Sequence, residues 1–164
     1  MNVFVLDEHP GAAAVYHNDV HVRKMILEAA QMLSTAVRIN NPGKDINVYK
    51  QAYVKHPCTI KCTTSRDNFV WVLELAEYLA KEFVFRFDKE HASARILPVA
   101  REHIETIPVS PDGLKFAQAM PDQYKHDCPV TAYRNYYRNE KVYMKNGKFM
   151  CVYTKRQVPK FMES

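Results

Sequence analysis

Five polar side chains recur every three or four residues between positions 17 and 31, and together they could perform acid–base chemistry. They are His17, His21, Lys24, Glu28 and Gln31. This spacing places all five on one face of a helix. A carboxylate in such a group can accept and return a proton, and a lysine in its neutral form can attack a carbonyl carbon to form an imine.

The helix that would carry this face is otherwise apolar. Besides Lys24 and Glu28, only Arg23 and Arg38 are charged between residues 20 and 39. A helix of this kind is expected at the centre of a domain, where an unpaired charge is costly. Either the face is solvated, with Lys24 and Glu28 as a weak ion pair, or it lines a cleft. We favour the cleft.

On the cleft interpretation each side chain has a predicted role. Glu28 is the general acid/base, and Lys24 forms an imine or stabilises charge. His17 and His21 orient the substrate or carry protons. The two histidines could instead chelate a metal ion, as paired helical histidines do at zinc sites. Because Lys24 would separate them from Glu28, we predict no metal ion and no cofactor.

Further polar residues are predicted to complete a substrate pocket. They are Gln31, His56, Asn68, His91, Gln118, Asp122 and Tyr124. The last three belong to a polar loop at 118–125, and loops of this kind often carry function. The alternative is structural, because isolated histidines usually stabilise the fold and Asn68 could cap a helix.

The end of the chain is basic and aromatic. Residues 133–160 hold eight Lys or Arg and a single acid, Glu140, in a protein of net charge +5. Cations bind phosphates and aromatic rings stack on bases, so this segment predicts contact with DNA. The predicted contacts are Tyr133, Arg134, Tyr137, Arg138, Lys141, Lys148, Lys155 and Arg156. Alternatively, the tyrosines pack inward and the cations are merely solvated.

The elements that must position these residues are mainly helical. Apolar periodicity, capping residues and proline positions predict helices at 11–16, 18–39, 63–87 and 129–144, with another starting near 91. Asn146-Gly147 is typical of a tight hairpin turn. We predict a mainly α protein with a short extended N-terminal segment, a C-terminal hairpin that this dipeptide allows, and one compact domain spanning residues 1–164.

Composition excludes several other classes of protein. Cys58 and Cys62 form a close pair, but Cys128 and Cys151 do not form a second one, so no zinc ribbon is expected. No stretch reaches the roughly 20 apolar residues that span a membrane. The start, MNVFVLDEH, lacks a basic segment before its short apolar run. We expect a cytosolic protein without a membrane partner.

Several short motifs resemble those of a family of small bacteriophage proteins, most of them without an assigned function. The motifs are HNDVHVRKMILEAAQMLSTA, HPC, SRDNFVW, QAMPDQYK and AYRNYYRNEK, followed by R-x-x-P-K-F. The resemblance runs essentially end to end. It implies a protein that works in the cytoplasm of the phage host.

The layout is also similar, more distantly, to the pyrimidine-dimer DNA glycosylases with abasic-site lyase activity. Those enzymes are small, helical and basic, with a catalytic Glu on an early helix, and the resemblance places Glu28 there. Their N-terminal α-amine forms a Schiff base with the sugar. Here Met1 precedes Asn2, which is too large for routine removal of Met1. We therefore predict that Lys24 supplies the amine.

The leading hypothesis is a phage enzyme that acts on a pyrimidine nucleotide turned out of the DNA stack. A second hypothesis keeps the site but changes the reaction. The protein would then be a glycosylase-like transferase that hypermodifies thymine in phage DNA. A third is a non-enzymatic protein that binds nucleic acid or inhibits a host partner. The residues do not separate the first two.

Overall fold

A computed structural model describes residues 2–163 and is mostly helical. The described part contains six α-helices, α1 to α6, and one two-stranded antiparallel sheet of β1 and β2. The helices span Pro10–Tyr16, Asp19–Asn40, Pro57–Thr64, Arg66–Phe87, Ile96–Glu102 and Pro129–Glu140, and the strands span Met144–Lys145 and Lys148–Phe149. The predicted mainly α fold with a small C-terminal hairpin is confirmed.

The core forms around the two long helices, α2 and α4, which pack against each other. Helix α1 packs on α4, and α3 packs mainly on α2. The inward faces are completely buried at positions such as Ile26, Leu33, Phe69 and Leu79. Burying side chains of this size supplies most of the free energy that holds a small domain together.

The start of α2 differs from the prediction in one respect. The Asn18 side chain accepts a hydrogen bond from the backbone N–H of His21 at 3.0 Å, so it caps the helix and α2 begins at Asp19. His17 therefore lies outside α2, at the end of α1, with an extended backbone (φ −70°, ψ 137°). The prediction that all five polar residues share one helix face is wrong for His17.

The N-terminal segment is buried between α2 and α6. Val3, Val5 and Leu6 are at most 6% exposed. The Phe4 ring lies 4.8 Å from the His21 ring and 5.1 Å from the Tyr137 ring, measured between centroids. This path carries the first residues of the chain to the middle of α2.

The connection from α2 to α3 runs back along α2. The Arg38 guanidinium donates hydrogen bonds to the carbonyls of Ile46, Val48 and Tyr49, at 2.7 to 3.2 Å. Further along, the Thr35 hydroxyl contacts both backbone groups of Ala52. As residue numbers in the connection rise, those of its partners on α2 fall. The connection therefore delivers the start of α3 towards Glu28.

A buried network of charges fastens the C-terminal segment to the helices. The Arg86 side chain, on α4, donates to the carbonyls of Val15 and His17 and to the carboxylates of Asp19 and Glu82. Asp19 also accepts hydrogen bonds from the backbone and hydroxyl of Thr154, at 3.0 and 2.6 Å. The network thereby joins the end of α1, the start of α2 and the C-terminal segment to α4.

Within residues 2–163 the structure contains no helix long and apolar enough to cross a membrane.

Candidate active site

Glu28 is the centre of the candidate active site. It is 7% exposed, yet its carboxylate meets two nitrogen atoms. Oε2 accepts a hydrogen bond from the backbone N–H of Asn2 at 2.8 Å, and Oε1 lies 3.4 Å from Lys24 Nζ. The Lys24 side chain is 59% exposed and extends from solvent to the carboxylate. The structure therefore buries Glu28 and leaves the Lys24 side chain largely exposed.

Asn2 is held by contacts from three parts of the chain. Its Nδ2 donates to the Ala119 carbonyl at 2.9 Å. Its Oδ1 lies 3.2 Å from the Tyr133 hydroxyl of α6 and 3.7 Å from Cys58 Sγ of α3. The Tyr133 hydroxyl also donates to the Ala117 carbonyl at 2.6 Å. These bonds fix the backbone nitrogen of Asn2 against Glu28.

His56 joins the site from the start of α3. It precedes Pro57, and its Nδ1 accepts a hydrogen bond from the backbone N–H of Cys58 at 3.2 Å, which caps the helix. Burial lowers the pKa of His56, while the nearby negative charge of Glu28 opposes that shift. The structure thus brings together three residues predicted from sequence: Lys24, Glu28 and His56.

His21 lies behind this surface, next to the core. Its Nδ1 is 2.8 Å from the hydroxyl of Tyr137, which also accepts a hydrogen bond from the backbone N–H of Asn18. Burial is the main reason that the pKa of His21 falls to about 3, and charge on His17, Lys141 and Lys24 acts in the same direction. His21 is therefore neutral at neutral pH and suits orienting contacts better than proton donation as imidazolium.

His17 is completely buried. Its Nδ1 lies 2.7 Å from the Ala13 carbonyl, and because a carbonyl only accepts, Nδ1 carries the proton. Burial lowers the pKa of His17 to about 4. Its Nε2 has no hydrogen-bond partner among the described residues. The structure places this histidine in the core and not on the solvent-facing side of Glu28.

These two histidines make the stability of the protein depend on pH. In the unfolded chain a histidine has a pKa near 6.5, whereas the folded values are about 4 and about 3. Stability is therefore complete above pH 6.5 and is lost as the pH falls towards 4, because only the unfolded chain binds protons in that range. We expect the urea midpoint to fall steadily between these limits.

Two variants test whether the buried histidines cause this loss of stability at acid pH. His21→Asn is expected to flatten the fall in the urea midpoint, whereas His126→Gln, a change at an exposed histidine, is expected to leave it intact. A midpoint that stays constant across this range in the wild-type protein would contradict the buried neutral histidines.

Two of the other predicted pocket residues, Asn68 and Gln118, hold loops in place. The Asn68 amide bonds to both backbone groups of Lys115, and the Gln118 amide does the same with His126. Both fasten the loop that contains Ala117 and Ala119, so they act on the site through Asn2. Gln31 is half-buried on α2, one turn after Glu28.

Three predicted pocket residues lie in other surroundings. Asp122 is exposed and pairs with Lys125 at 2.7 Å. The Tyr124 hydroxyl lies 2.6 Å from a carboxylate oxygen of Glu140. His91 packs edge-on against Phe83, and its neighbours line a separate surface cleft of about 550 Å³. The structure therefore does not gather all the predicted pocket residues into one pocket.

The aromatic residues predicted to bind DNA are largely inside the protein. Tyr133 and Tyr137 are both 0% exposed, so their rings present no face to a base. Lys141, one of the predicted cations, lies near the Phe4 ring, which packs against His21. Its Nζ lies 3.1 Å from the Tyr136 hydroxyl, and its charge acts on His21.

Several of the predicted DNA-binding cations are paired with acids from distant parts of the chain. Arg134 pairs with Asp7 at 3.1 Å, Lys155 pairs with Asp88 at 2.9 Å, and Arg156 binds Glu82. Arg138 lies 3.3 Å from the Asn135 side chain, and Lys148 is exposed on β2. The positive charge concentrated in the sequence is thus partly neutralised in the folded protein.

Comparison with protein-family models, curated proteins and solved structures finds no match to this chain. The geometry around Glu28 is therefore the main basis for a function.

Two residues that contribute to the site are not predicted from the sequence. Asn2 bonds to Glu28, and Cys58 contacts Asn2. The available signal for Asn2 was the resemblance to glycosylases, whose N-terminal amine works beside a catalytic Glu. Because Met1, which lies outside the described residues, precedes Asn2, the sequence favours Lys24 as the amine.

The described residues contain no group of three or more His, Cys, Asp and Glu side chains arranged to hold a metal ion.

Proposed function

We propose that the protein is a DNA-acting enzyme of glycosylase/lyase type that works on a pyrimidine nucleotide, with Glu28 as the general acid/base. The observation that carries this proposal is the buried Glu28 carboxylate, which lies 2.8 Å from Asn2 N and 3.4 Å from Lys24 Nζ. A carboxylate beside an amine can remove the proton that the amine loses as it attacks carbon.

The proposed reaction uses that proton transfer at the sugar. An amine attacks C1′ of the deoxyribose, and the base departs with the electrons of the glycosidic bond. The attacking amine is in its neutral form, and Glu28 takes the proton that its nitrogen loses. The nitrogen lone pair then forms the C1′=N bond of the imine as the C1′–O4′ bond breaks, and Glu28 returns the proton to O4′. Burial supports this role, because a water-poor setting strengthens the electrostatic contact between the carboxylate and the developing positive charge.

Two nitrogens are candidates for the attacking amine. Lys24 is a primary amine with an exposed side chain, so DNA can reach it. The Asn2 nitrogen is closer to Glu28, but it is an amine only in a chain from which Met1 has been removed. The two possibilities place the imine on different residues and can therefore be distinguished.

Borohydride trapping tests this proposal. An abasic oligodeoxynucleotide carries an aldehyde at C1′, and an imine formed there is reduced to a stable amine that joins protein to DNA. We expect a covalent adduct that depends either on Lys24 or on a free amino terminus. The adduct is measured by its slower migration in a denaturing gel.

Variants identify the nitrogen. Loss of the adduct in Lys24→Ala assigns it to the lysine, and loss in a protein with a blocked amino terminus assigns it to the terminus. Lys89→Ala, at an exposed lysine beyond α4, is the matched control and should retain the adduct. The absence of any adduct, or an adduct undiminished by both changes, contradicts the imine mechanism.

A further inference from the structure

A second basic and aromatic segment covers the end of the connection between α2 and α3 and α3 itself, and it reaches the candidate active site where Cys58 contacts Asn2. Residues 46–65 contain Lys50, Lys55 and Lys61 and no Asp or Glu. Lys50 and Lys55 are exposed. Between them Tyr53 is 60% exposed and Val54 is 44% exposed. This short stretch therefore presents an aromatic ring flanked by two cations to solvent.

The position of Tyr53 is fixed relative to the candidate active site. The residue before it, Ala52, bonds through its backbone N–H and carbonyl to the Thr35 hydroxyl, at 3.0 and 3.1 Å. The Tyr53 carbonyl accepts a hydrogen bond from the backbone N–H of His56 at 2.9 Å. Tyr53 is thus held between α2 and His56, and His56 senses the charge of Glu28.

The backbone of Tyr53 is strained. Its φ is +51°, in the left-handed region that bulky side chains rarely adopt. A glycine or asparagine would form this turn at lower cost. Strained backbone conformations of this kind tend to cluster at functional sites. Because the ring is largely exposed, it offsets little of that strain by packing in the core.

We propose that Tyr53 is a stacking platform for an unpaired base and that Lys50 and Lys55 bind the neighbouring phosphates, so that a DNA strand crosses α2 beside Glu28. Cations with an interleaved aromatic ring are the features with which proteins hold single strands. The location rests on the proposed function, since it brings the strand to Glu28. It also supplies the aromatic face that buried Tyr133 and Tyr137 do not offer.

Fluorescence anisotropy with a labelled single-stranded oligodeoxynucleotide tests this proposal on the full-length protein. Tyr53→Ala is expected to weaken binding by about 5- to 160-fold, which corresponds to the loss of one stacked base, whereas Tyr53→Phe should retain most of the affinity. Tyr78→Ala is the matched control, because Tyr78 is a partly exposed tyrosine on α4 with Lys81 beside its ring.

The salt dependence of DNA binding tests the phosphate contacts of Lys50 and Lys55. Removing both Lys50 and Lys55 should reduce the slope of log affinity against log salt by about 1.4, since each phosphate contact to a single strand contributes about 0.7. An unchanged slope overturns the assignment of phosphate contacts to these lysines.

Tyr53→Gly separates loss of binding from loss of folding. Because glycine relieves the positive φ, this variant should melt at or above the wild-type temperature while it binds DNA more weakly. Equal affinities for Tyr53→Ala, Tyr78→Ala and the wild type overturn the stacking role, and so does a wild-type protein that does not bind DNA. The proposed reaction fails separately, through the trapping experiment, which does not depend on Tyr53.

Discussion

Glu28→Gln is expected to slow the reaction by roughly a hundred- to ten-thousandfold, the usual contribution of a general acid/base. The amide oxygen of glutamine can still accept the hydrogen bond from Asn2, so the fold should persist. The amide cannot take up the proton that the attacking amine releases. The measurement is the single-turnover rate of cleavage of a duplex that carries one abasic site, with thermal melting to confirm folding.

Glu102→Gln provides the comparison for this experiment. Glu102 is exposed at the end of α5, away from the candidate site. Glu102→Gln removes one negative charge, as Glu28→Gln does. We expect its rate to match the wild type. A Glu28→Gln protein that is folded and cleaves at the wild-type rate would instead favour the non-enzymatic hypothesis, in which this carboxylate only anchors the N-terminal segment.

Arg86→Met is expected to lower the free energy of unfolding by about 3–5 kcal/mol, as removal of one partner from a buried ion pair typically does. The Arg86 side chain is completely buried and pairs with Asp19 at 3.1 Å and Glu82 at 2.9 Å. Without it, both carboxylates remain buried next to fewer positive charges. Urea denaturation at pH 7 measures the change.

The exposed pair of Arg101 and Glu77 is the matched control. Its atoms are closer, at 2.6 Å, but the Arg101 side chain is 48% exposed. Arg101→Met should therefore cost only about 0–1 kcal/mol. Equal losses in the two variants would show that the buried network does not have the energetic role given to it here.

The same network makes a further contribution that depends on acid. Although burial alone would raise the pKa of Glu82, hydrogen bonds from Arg156 and Arg86 hold it below its usual value of 4.5. Stability from this carboxylate is therefore present above pH 4.5 and is lost as the pH falls below it. The histidine effect begins at higher pH, near 6.5, so the loss of stability between pH 6.5 and 4.5 reports the histidines, and the Glu82 contribution is added below pH 4.5.

Local features of the sequence were sufficient for the two long helices and for part of the site, but they did not predict α3. Asn18 and Ser65 cap α2 and α4, and the apolar periodicity after each cap produces helices close to the predicted ranges. The contact between Lys24 and Glu28 follows from their spacing of four residues. These features depend on neighbours within a turn or two, so they can be predicted before the fold is known.

Contacts between distant segments decided the rest. The bond from Asn2 to Glu28 joins residues 26 apart, and the pairs of Arg134 with Asp7 and Lys155 with Asp88 join residues 127 and 67 apart. No local pattern marks such partners, because they depend on how the helices pack. For that reason neither the pairing of the C-terminal cations nor the exposure of the Tyr53 ring can be predicted from the sequence.

The sequence by itself determined that α2 is a central helix with Lys24 and Glu28 on one face, because periodicity is a property of neighbouring residues. Only the tertiary structure decided which members of that face meet solvent. Packing of Phe4 and Tyr137 buries His21 on α2 and His17 just before α2, whereas the path of the N-terminal segment brings Asn2 to Glu28. Which side chains are desolvated depends on the segments that cover them, and those segments lie far away in the chain.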